Sequence, residues 1–361
     1  MKNLLLLSTL LTGISLLISL INYFTMRVVR SSDAIISESV SILIPMRNEE
    51  ENVEPLLQSL LSTHNLNNYE ISVLNDHSED QTYDHLQEFA ANISILNGRE
   101  LPEGWMGKPF ACFQLAEKSL SEYLVFMDAD VRPSPAAVSS AIGVMRTLNW
   151  DFISPYPAQT ARTKVMKLIQ PLLQWSWFSS VPLRIAESGR QSSMVIANGQ
   201  FFIVKRKAYE SINGHESVKA EVLEDLCLAR ALASAGFKGG VADGSTVVTC
   251  SMYERNTDLI TGYTKSLWKA FGGAIGTIFA ILLLTLTQIV PLLLLVTGER
   301  WAIIPFACAG LTHVFASMKT GSRPVNALTH PVAIALLILL ICESYRRKLV
   351  GRLEWRGRRV L

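Results

Sequence analysis

Uncharged apolar residues are concentrated near the two ends of this 361-residue chain. The first run covers residues 4–21 and the second covers residues 272–297, and neither contains a charged side chain. Two shorter runs follow at 301–317 and 331–342. Because a helix needs about 20 apolar residues to cross the hydrocarbon core of a bilayer, the first two runs are long enough and the last two are marginal.

These runs predict an N-terminal transmembrane anchor at residues 1–25 and C-terminal transmembrane helices within 272–344. The first run is longer than the apolar part of a signal peptide, and no small-residue cleavage site follows it, so we expect an anchor that is not cleaved. Arg27 and Arg30 follow this run and only Lys2 precedes it, which favours a cytoplasmic location for the middle of the chain.

The residues after the last apolar run, 345–361, form a basic tail. Its basic residues are Arg346, Arg347, Lys348, Arg352, Arg356, Arg358 and Arg359. The same charge rule favours a cytoplasmic tail and therefore two true crossings after the middle domain. We predict a multi-pass protein of the cell membrane.

The middle of the chain, residues 38–265, alternates between short apolar runs and amphipathic segments. The predicted strands are 39–46, 69–76, 93–97 and 122–128, and the predicted helices are 48–62, 78–90, 109–120 and 222–232. Such alternation predicts an α/β fold with a mainly parallel sheet and helices on both faces.

Composition removes several alternatives. The five cysteines form no C-x-x-C pair, so they indicate neither a disulfide framework nor a zinc site. The formal net charge is only +2, which does not suggest a nucleic-acid partner.

Polar clusters follow three of the predicted strands: 47–49, 75–77 and 128–130. Ligands bind beyond the carboxyl ends of parallel strands, so these clusters are expected to meet at one site. Asp128 and Asp130 would face the same ligand if the chain stays extended, and Mg²⁺ commonly binds one or two carboxylates together with substrate phosphates. The alternative is a turn, where aspartate is common.

Two more acidic features have both functional and structural interpretations. Asp76 follows a strand and can accept hydrogen bonds from a nucleobase or ribose, as can Asp80; alternatively, Ser78 caps the next helix and Asp80 complements its dipole. Glu224 and Asp225 lie in the first turn of a predicted helix, where they either complement the dipole or supply a general base.

The segments ILIPMRNEEENV, VLNDHSEDQT, FMDADVRP and VLEDLCLARAL resemble glycosyltransferase family 2, inverting enzymes with the GT-A fold. The resemblance spans residues 40–235. The segment LPEGWMGKPFACFQLA at 101–116 is similar to membrane glycosyltransferases of carotenoid and hopanoid pathways, among them the diaponeurosporenoate and chlorobactene glucosyltransferases. A GT-A-like, Rossmann-type nucleotide-sugar-binding domain is therefore expected.

The resemblance implies a role for each matching residue. Pro45, Arg47, Glu49, Asp76, Lys108 and Asp128 would bind the nucleotide sugar, with Asp76 near the uracil. Asp130, helped by Asp128, would bind Mg²⁺ or Mn²⁺. Asp225 would be the general base, with Glu224 beside it. Lys108 is alternatively a solvated loop lysine.

Processive polysaccharide synthases of this superfamily carry a Gln-x-x-Arg-Trp motif. In TGYTKSLWKAFGG, residues 261–273, Trp268 is present, but no glutamine or arginine precedes it, and Lys265 and Ser266 stand in this stretch instead. This departure favours transfer of a single sugar. Trp268 could contact the acceptor or diphosphate, or it belongs with Lys269 to an interfacial belt.

The acceptor side is less distinctive. Residues 164–184 are apolar, contain two tryptophans and have flanking cations, which predicts a segment at the membrane interface; the alternative is a core helix. Asn198 and Gly199 are expected near the acceptor. His215 is either a metal or phosphate partner or a structural loop residue.

The leading hypothesis is an enzyme that transfers one sugar, with glucose expected, from a UDP-sugar to a membrane lipid such as a carotenoid acid or hydroxyl. The alternatives are transfer to polyprenyl phosphate, a glycerolipid or a hopanoid, and a membrane scaffold with an inactive transferase domain.

Overall fold

The structure is a computed structural model and describes residues 2–189, 191–355 and 358–359. The chain forms two compact units. The α/β unit comprises Met26–Ala158 and Leu183–Met252, and the helical unit comprises the residues up to Thr25, Gln159–Pro182 and the residues from Tyr253 onward. Arg356 of the basic tail lies outside the described residues.

The strands are β1 Ile36–Met46, β2 Leu66–Asn75, β3 Ser94–Asn97, β4 Tyr123–Met127, β5 Val131–Pro133, β6 Phe152–Tyr156, β7 Ala158–Gln159, β8 Phe201–Lys205, β9 Gly239–Asp243, β10 Val248–Cys250, β11 Glu354–Trp355 and β12 Arg358–Arg359. The α-helices are α1 Lys2–Thr25, α2 Glu50–Leu61, α3 Thr82–Gln87, α4 Gly107–Lys118, α5 Ala137–Leu148, α6 Lys164–Ile169, α7 Pro171–Phe178, α8 Leu183–Ala186, α9 Arg206–Ser211, α10 Glu224–Ser234, α11 Asn256–Ala270, α12 Ala274–Leu284, α13 Val290–Val296, α14 Ile303–Lys319 and α15 His330–Leu349.

A seven-stranded sheet in the order β3-β2-β1-β4-β8-β6-β9 forms the centre of the α/β unit. β1 pairs in parallel with β2 and β4, β2 with β3, and β6 with β9. β8 runs antiparallel to its neighbours β4 and β6. The prediction of an α/β fold with a mainly parallel sheet is confirmed.

Helices cover both faces of this sheet, which explains why its central strands are apolar without interruption. Successive side chains of a strand alternate between faces. On β4, Val125 and Met127 pack into the core cluster that contains residues of α2 and α5. Leu124 and Phe126 pack into the second cluster, with residues of α4 and α10.

The reversed direction of β8 brings its beginning to the edge at which the parallel strands end. Met127, the last residue of β4, is opposite Phe201, the first residue of β8. The amide of Asp128 donates to the carbonyl of Gln200 at 3.1 Å. The polar residues before β8 therefore lie beside those that follow β4.

The helical unit contains four helices that are long and apolar enough to cross a membrane. They are Lys2–Thr25, Ala274–Val296, Arg300–Lys319 and Pro324–Leu349. The last two helices are 20 and 26 residues long, longer than the apolar runs within them, because polar residues at their ends are also helical. Length and composition therefore give no reason to exclude either of the two shorter apolar runs as a crossing.

Residues 164–184 include two consecutive helices, α6 and α7, interrupted at Gln170 before Pro171. Within the helical unit, the indole nitrogen of Trp175 donates to Thr312 Oγ1 at 2.8 Å. The side-chain nitrogen Nδ2 of Asn22 donates to the backbone carbonyls of Phe178 and Val181, each at 2.8 Å. These contacts attach α7 to α1 and α14.

Two predicted helix starts are displaced. α2 begins at Glu50, so Asn48 does not cap it; Asn48 instead adopts a positive φ of 53°, and its side-chain oxygen accepts from the Glu79 amide at 2.8 Å. α3 begins at Thr82 rather than after Ser78. Asp80 Oδ1 accepts from the Thr82 amide at 3.0 Å, and Oδ2 accepts from the Glu50 amide at 3.2 Å. These bonds give Asp80 a structural role.

Candidate active site

Asp128 continues the alternation of β4 and is on the sheet face covered by α4 and α10. Its Oδ1 is 2.7 Å from Lys108 Nζ in the first turn of α4. The same ammonium group lies 3.1 Å from Glu224 Oε1 in the first turn of α10. Lys108 therefore bridges two acidic residues that are almost 100 positions apart in the sequence.

The surroundings of Lys108 keep it charged. Burial lowers its pKa, but the carboxylates of Asp128 and Glu224 outweigh this effect and hold the pKa well above its ordinary value. A cation at a helix N-terminus is unfavourable because of the helix dipole. The two carboxylates offset this cost, and Lys108 is a helix residue held in two ion pairs rather than a solvated loop lysine.

Asp225 is held by two backbone amides. Its Oδ2 accepts a hydrogen bond of 2.5 Å from the amide of Gly199, and its Oδ1 accepts one of 2.8 Å from Leu226. Burial and the charge of Glu224 raise the pKa of Asp225 to about 6, although Lys108 and the amides act in the opposite direction. This value suits a general base, because the group is mostly ionised at neutral pH yet remains basic enough to take a proton.

A glycine is required at position 199 because the side chains of Asp225 and Lys108 approach its backbone closely. A Cβ atom at this position would lie 3.1 Å from Asp225 Cβ and 3.1 Å from Lys108 Nζ. Any larger residue would therefore displace the proposed base or the bridging lysine. The side chain of the neighbouring Asn198 is bonded to Gln200, because the backbone amide of Gln200 donates to Asn198 Oδ1 at 3.0 Å.

Asp130 lies in a turn, so the extended conformation in which Asp128 and Asp130 would face the same ligand is not adopted after β4. The amide of Val131 donates to the carbonyl of Asp128 at 3.3 Å, which closes the turn. Asp130 is thereby directed toward Cys250, whose thiol donates to its carboxylate. Burial and the charge of Asp128 raise the pKa of Asp130 to about 6.

The acidic turn fits a divalent cation that also binds substrate. Asp130 Oδ1 is buried without a hydrogen-bond partner, which leaves an unsatisfied hard oxygen donor. Among the described residues, no group of three or more His, Cys, Asp and Glu side chains is arranged to hold a metal. Asp130 and Asp128 would supply one or two carboxylates, the number that Mg²⁺ typically takes when phosphates complete its coordination.

Arg47, Glu49 and Asp76 lie at or just beyond the ends of β1 and β2, where Arg47 contacts Asp76 and Glu49 makes a separate bond. Arg47 Nη1 donates to the carbonyls of Asp76 at 2.7 Å and His77 at 3.1 Å. Glu49 Oε2 accepts from Asn52 at 2.8 Å. Asp76 is buried, so these bonds give the first two polar strand ends a fixed conformation.

A cavity of about 20 Å³ lies at this edge of the sheet, with room for roughly one water molecule. It is lined by Pro45, Lys108, Cys112, Phe126, Met127, Asp128, Gly199, Phe202, His215, Glu224, Asp225 and Leu228. The structure thus brings six of the predicted site residues to one space. Arg47, Glu49 and Asp76 are not among its lining residues.

His215 is a neutral, structural member of this lining. Its Nδ1 is 2.9 Å from the hydroxyl of Tyr209, and its ring packs edge-on against Phe126. Burial lowers its pKa to about 3, so it carries no positive charge for a phosphate.

Trp268 lies in α11 of the helical unit and is buried. Its indole nitrogen donates to the carbonyl of Lys265 at 2.9 Å, and Lys348 Nζ lies 3.9 Å from its ring centroid. These contacts resemble those of an interfacial belt of aromatic and basic residues.

Sequence reasoning missed Cys250 and Gln200. Gln200 Nε2 donates to Cys250 Sγ at 2.9 Å, and Cys250 in turn contacts Asp130. Cys250 follows Asp130 by 120 positions and belongs to no motif, so only the pairing of β10 with β5 brings the two together. The position of Gln200 directly after Asn198 and Gly199 was the one available signal.

Known proteins resemble both the sequence and the fold. The sequence model of glycosyl transferase family 2 matches residues 41–212. The 4,4'-diaponeurosporenoate glycosyltransferase of Staphylococcus haemolyticus is 26% identical over 271 residues, which cover 71% of this chain and 69% of that protein. The protein of the same name from Staphylococcus aureus (strain bovine RF122 / ET3-1) is 22% identical over 340 residues, which cover 89% of this chain and 88% of the relative.

A solved structure, the mannosyltransferase PcManGT from Pyrobaculum calidifontis in complex with GDP-Man and Mn²⁺, is similar with a TM-score of 0.53. It is 16% identical, and the match covers 96% of this chain and 99% of that one. This likeness supports the GT-A-like fold. The family model and the curated relatives identify the protein as a glycosyltransferase whose residues 41–212 match the model of family 2.

Proposed function

We propose that this enzyme transfers a single sugar, with glucose as the expected one, from a UDP-sugar to a membrane lipid, with inversion at the anomeric carbon. The expected acceptor is a carotenoid acid or hydroxyl. The observation that carries the proposal is the pairing of Asp225 with Gly199 beside the Lys108 bridge to Asp128. It joins a candidate base to a candidate diphosphate site.

Asp225 is the proposed general base. The acceptor hydroxyl or acid would give its proton to Asp225 as its oxygen attacks the anomeric carbon. The raised pKa of about 6 makes this carboxylate a stronger base than an ordinary aspartate. The amides of Gly199 and Leu226 fix the carboxylate, so its orientation is set before the acceptor binds.

The proposed donor site lies on the other side of the Lys108 bridge. Lys108 would pair with the diphosphate, and Pro45, Arg47, Glu49 and Asp76 would form the nucleotide pocket. Asp130 and Asp128 would hold Mg²⁺ or Mn²⁺, with Asp130 Oδ1 as the unsatisfied donor. When bound, such a cation offsets the negative charge that develops on the departing diphosphate.

The proposed reaction is one displacement. A bond forms between the acceptor oxygen and the anomeric carbon as the bond from that carbon to the β-phosphate oxygen of UDP breaks. The bonding electrons leave with UDP, and the acceptor proton goes to Asp225. Because attack occurs opposite the leaving group, the anomeric configuration is inverted.

The lipid acceptor is supported by two observations. The curated relatives are named as transferases of diaponeurosporenoate, a carotenoid acid. The chain also has four helices long and apolar enough to cross a membrane. A cytoplasmic α/β unit would have direct access to UDP-sugars, and Arg27 and Arg30 after the first helix support this orientation.

The test is an assay of the full-length protein in nanodiscs with UDP-glucose, GDP-mannose and either Mg²⁺ or Mn²⁺. The acceptor is a C30 carotenoid acid, with its methyl ester as the matched control. We expect a singly glucosylated product from the acid with UDP-glucose. Repeated sugar units, equal use of the ester, or full activity in an Asp130→Ala variant would contradict the proposal.

A further inference from the structure

Two histidines are buried among the apolar helices of the helical unit. His313 lies in α14 and His330 begins α15, and each is only 1% exposed. Their Nδ1 atoms are 2.9 Å apart, and the ring of Trp175 packs edge-on against His330. Ionisable residues in such helices are rare and commonly mark functional sites.

The hydrogen bonds around this pair have a defined direction. The hydroxyl of Thr287 donates to the carbonyl of Leu283 at 2.7 Å, so its oxygen must accept the 3.1 Å bond from Gln288 Nε2. Gln288 Oε1 therefore faces His330 Nε2, 3.0 Å away. Because Oε1 can only accept, His330 carries its proton on Nε2.

This assignment fixes the state of the second histidine. A neutral His330 with a proton on Nε2 has an acceptor at Nδ1, so Nδ1 of His313 donates to it. Neutral His313 then has an unprotonated Nε2. That nitrogen is buried and has no hydrogen-bond partner. The chain of hydrogen bonds that runs from Thr287 through Gln288 and His330 thus ends at His313 Nε2, an acceptor without a partner.

Neighbouring polar groups are already engaged. Thr312 Oγ1 donates to the carbonyl of Ala309 at 2.7 Å and accepts from Trp175 at 2.8 Å. Gln288 lies in a π-helical turn, Thr285–Ile289, within the helix Ala274–Val296. Such turns occur frequently at functional sites. Both features favour a ligand at His313 over a purely internal contact.

We propose that His313 Nε2 accepts a hydrogen bond from the hydroxyl or un-ionised carboxylic acid of a lipid bound among these helices. Because His313 Nε2 carries no proton, it can bind only a group that donates a hydrogen bond. An ester, an ether or an anion has no such proton and is rejected. The surrounding helices are apolar and suit a hydrocarbon body.

The first test uses full-length protein labelled with ¹⁵N-histidine in phosphatidylcholine nanodiscs. The probes are a long-chain polyisoprenoid alcohol and its methyl ether. We expect the ¹⁵N resonance of His313 Nε2 to move on adding the alcohol but not the ether, and the alcohol to bind about tenfold more tightly. An equal response to both probes, or no response, overturns the proposal.

Two variants sharpen this test. His313→Phe keeps a planar ring without nitrogen, so the preference for the alcohol should vanish while UDP binding is unchanged. Gln288→Leu removes the group that fixes the tautomer, so the His313 Nε2 signal should split between protonated and unprotonated forms. An unaltered preference in His313→Phe contradicts the proposal. The wild-type comparison of alcohol with ether stands even if a variant does not fold.

The source of the lipid is tested separately. Phosphatidylglycerol also carries hydroxyl groups, so a shift in phosphatidylglycerol nanodiscs without added alcohol would support the site and identify a bulk membrane lipid as its occupant. A retained shift without any sugar transfer would reject the proposed function but support the binding site.

Discussion

The α/β unit and the helical unit both bury polar side chains, but they satisfy them in different ways. Around Lys108, opposite charges compensate one another, and Asp130 keeps an unsatisfied oxygen. Around His313, a chain of neutral hydrogen bonds ends in an unsatisfied nitrogen. Charged groups suit ionic ligands, whereas an apolar surrounding strongly favours neutral groups. The first region is therefore suited to a charged substrate and the second to an uncharged lipid group.

The most damaging change to the charged site should be Asp225→Asn. The amide oxygen can still accept from Gly199, but the side chain can no longer take a proton. We expect sugar transfer to fall about 10²–10⁴-fold, as measured by initial rates in nanodiscs. UDP binding should be retained. Asp84→Asn, at an exposed position of α3, is the matched control and should behave like the wild type. Near-normal transfer by Asp225→Asn would remove this residue from the base role.

Gly199→Ala should have the next largest effect on transfer. The added methyl would meet Asp225 and Lys108 at 3.1 Å, so the base must move by a few tenths of an ångström. We expect kcat to decrease roughly 10–100-fold because catalytic groups depend on their position. Gly310→Ala is a control, since a Cβ there meets nothing within 4 Å. Equal rates for the two variants would show that the contact is unimportant.

The charge balance should appear in the pH dependence of transfer. Burial and Glu224 raise the pKa of Asp225 from 3.8 to about 6, so the active ionised form is lost as the pH falls through about 6. Lys108 opposes this increase. Lys108→Met should therefore move the acid limb to higher pH, as measured by kcat between pH 5 and 9. An acid limb that moves to lower pH would contradict this assignment.

In the neutral region, Gln288→Leu should reduce stability rather than catalysis. It leaves the Nε2 proton of His330 without an acceptor, which costs about 1–3 kcal/mol. Thermal unfolding in detergent measures the effect. Thr297→Val, at an exposed position just after the same helix, is the control because the Thr297 hydroxyl donates to the carbonyl of Leu294 within that helix. Equal melting temperatures for both variants would argue against the directed chain of hydrogen bonds.

The smallest effect is expected for Glu117→Gln. It breaks the pair with Arg99, in which both side chains are about half exposed. Exposed ion pairs contribute roughly 0.2–1 kcal/mol, so neither the melting temperature nor transfer should change much. A large decrease in melting temperature or transfer would show that this exposed ion pair also contributes to the charge balance around Lys108.

Much of the fold was readable because its signals are local. The apolar runs predicted the membrane-length helices, and the alternation of β-branched strands with amphipathic helices predicted the α/β sheet. The starts of α2 and α3 were misplaced because Asn48 and Ser78 hydrogen-bond across to each other's loop instead of capping their own helices. Such a bond depends on the adjacency of β1 and β2, which local patterns do not encode.

The sequence by itself determined which acids follow which strands, because strand ends and helix starts have local signatures. Tertiary structure alone decided that Lys108 bridges Asp128 and Glu224, that Cys250 contacts Asp130, and that His313 has an unprotonated Nε2. The first contact follows from the packing of α4 and α10 on one face of the sheet, the second from the pairing of β10 with β5, and the third from four residues on three helical segments. Each joins residues distant in the chain, and the distances that fix charge and proton position exist only once each unit has folded.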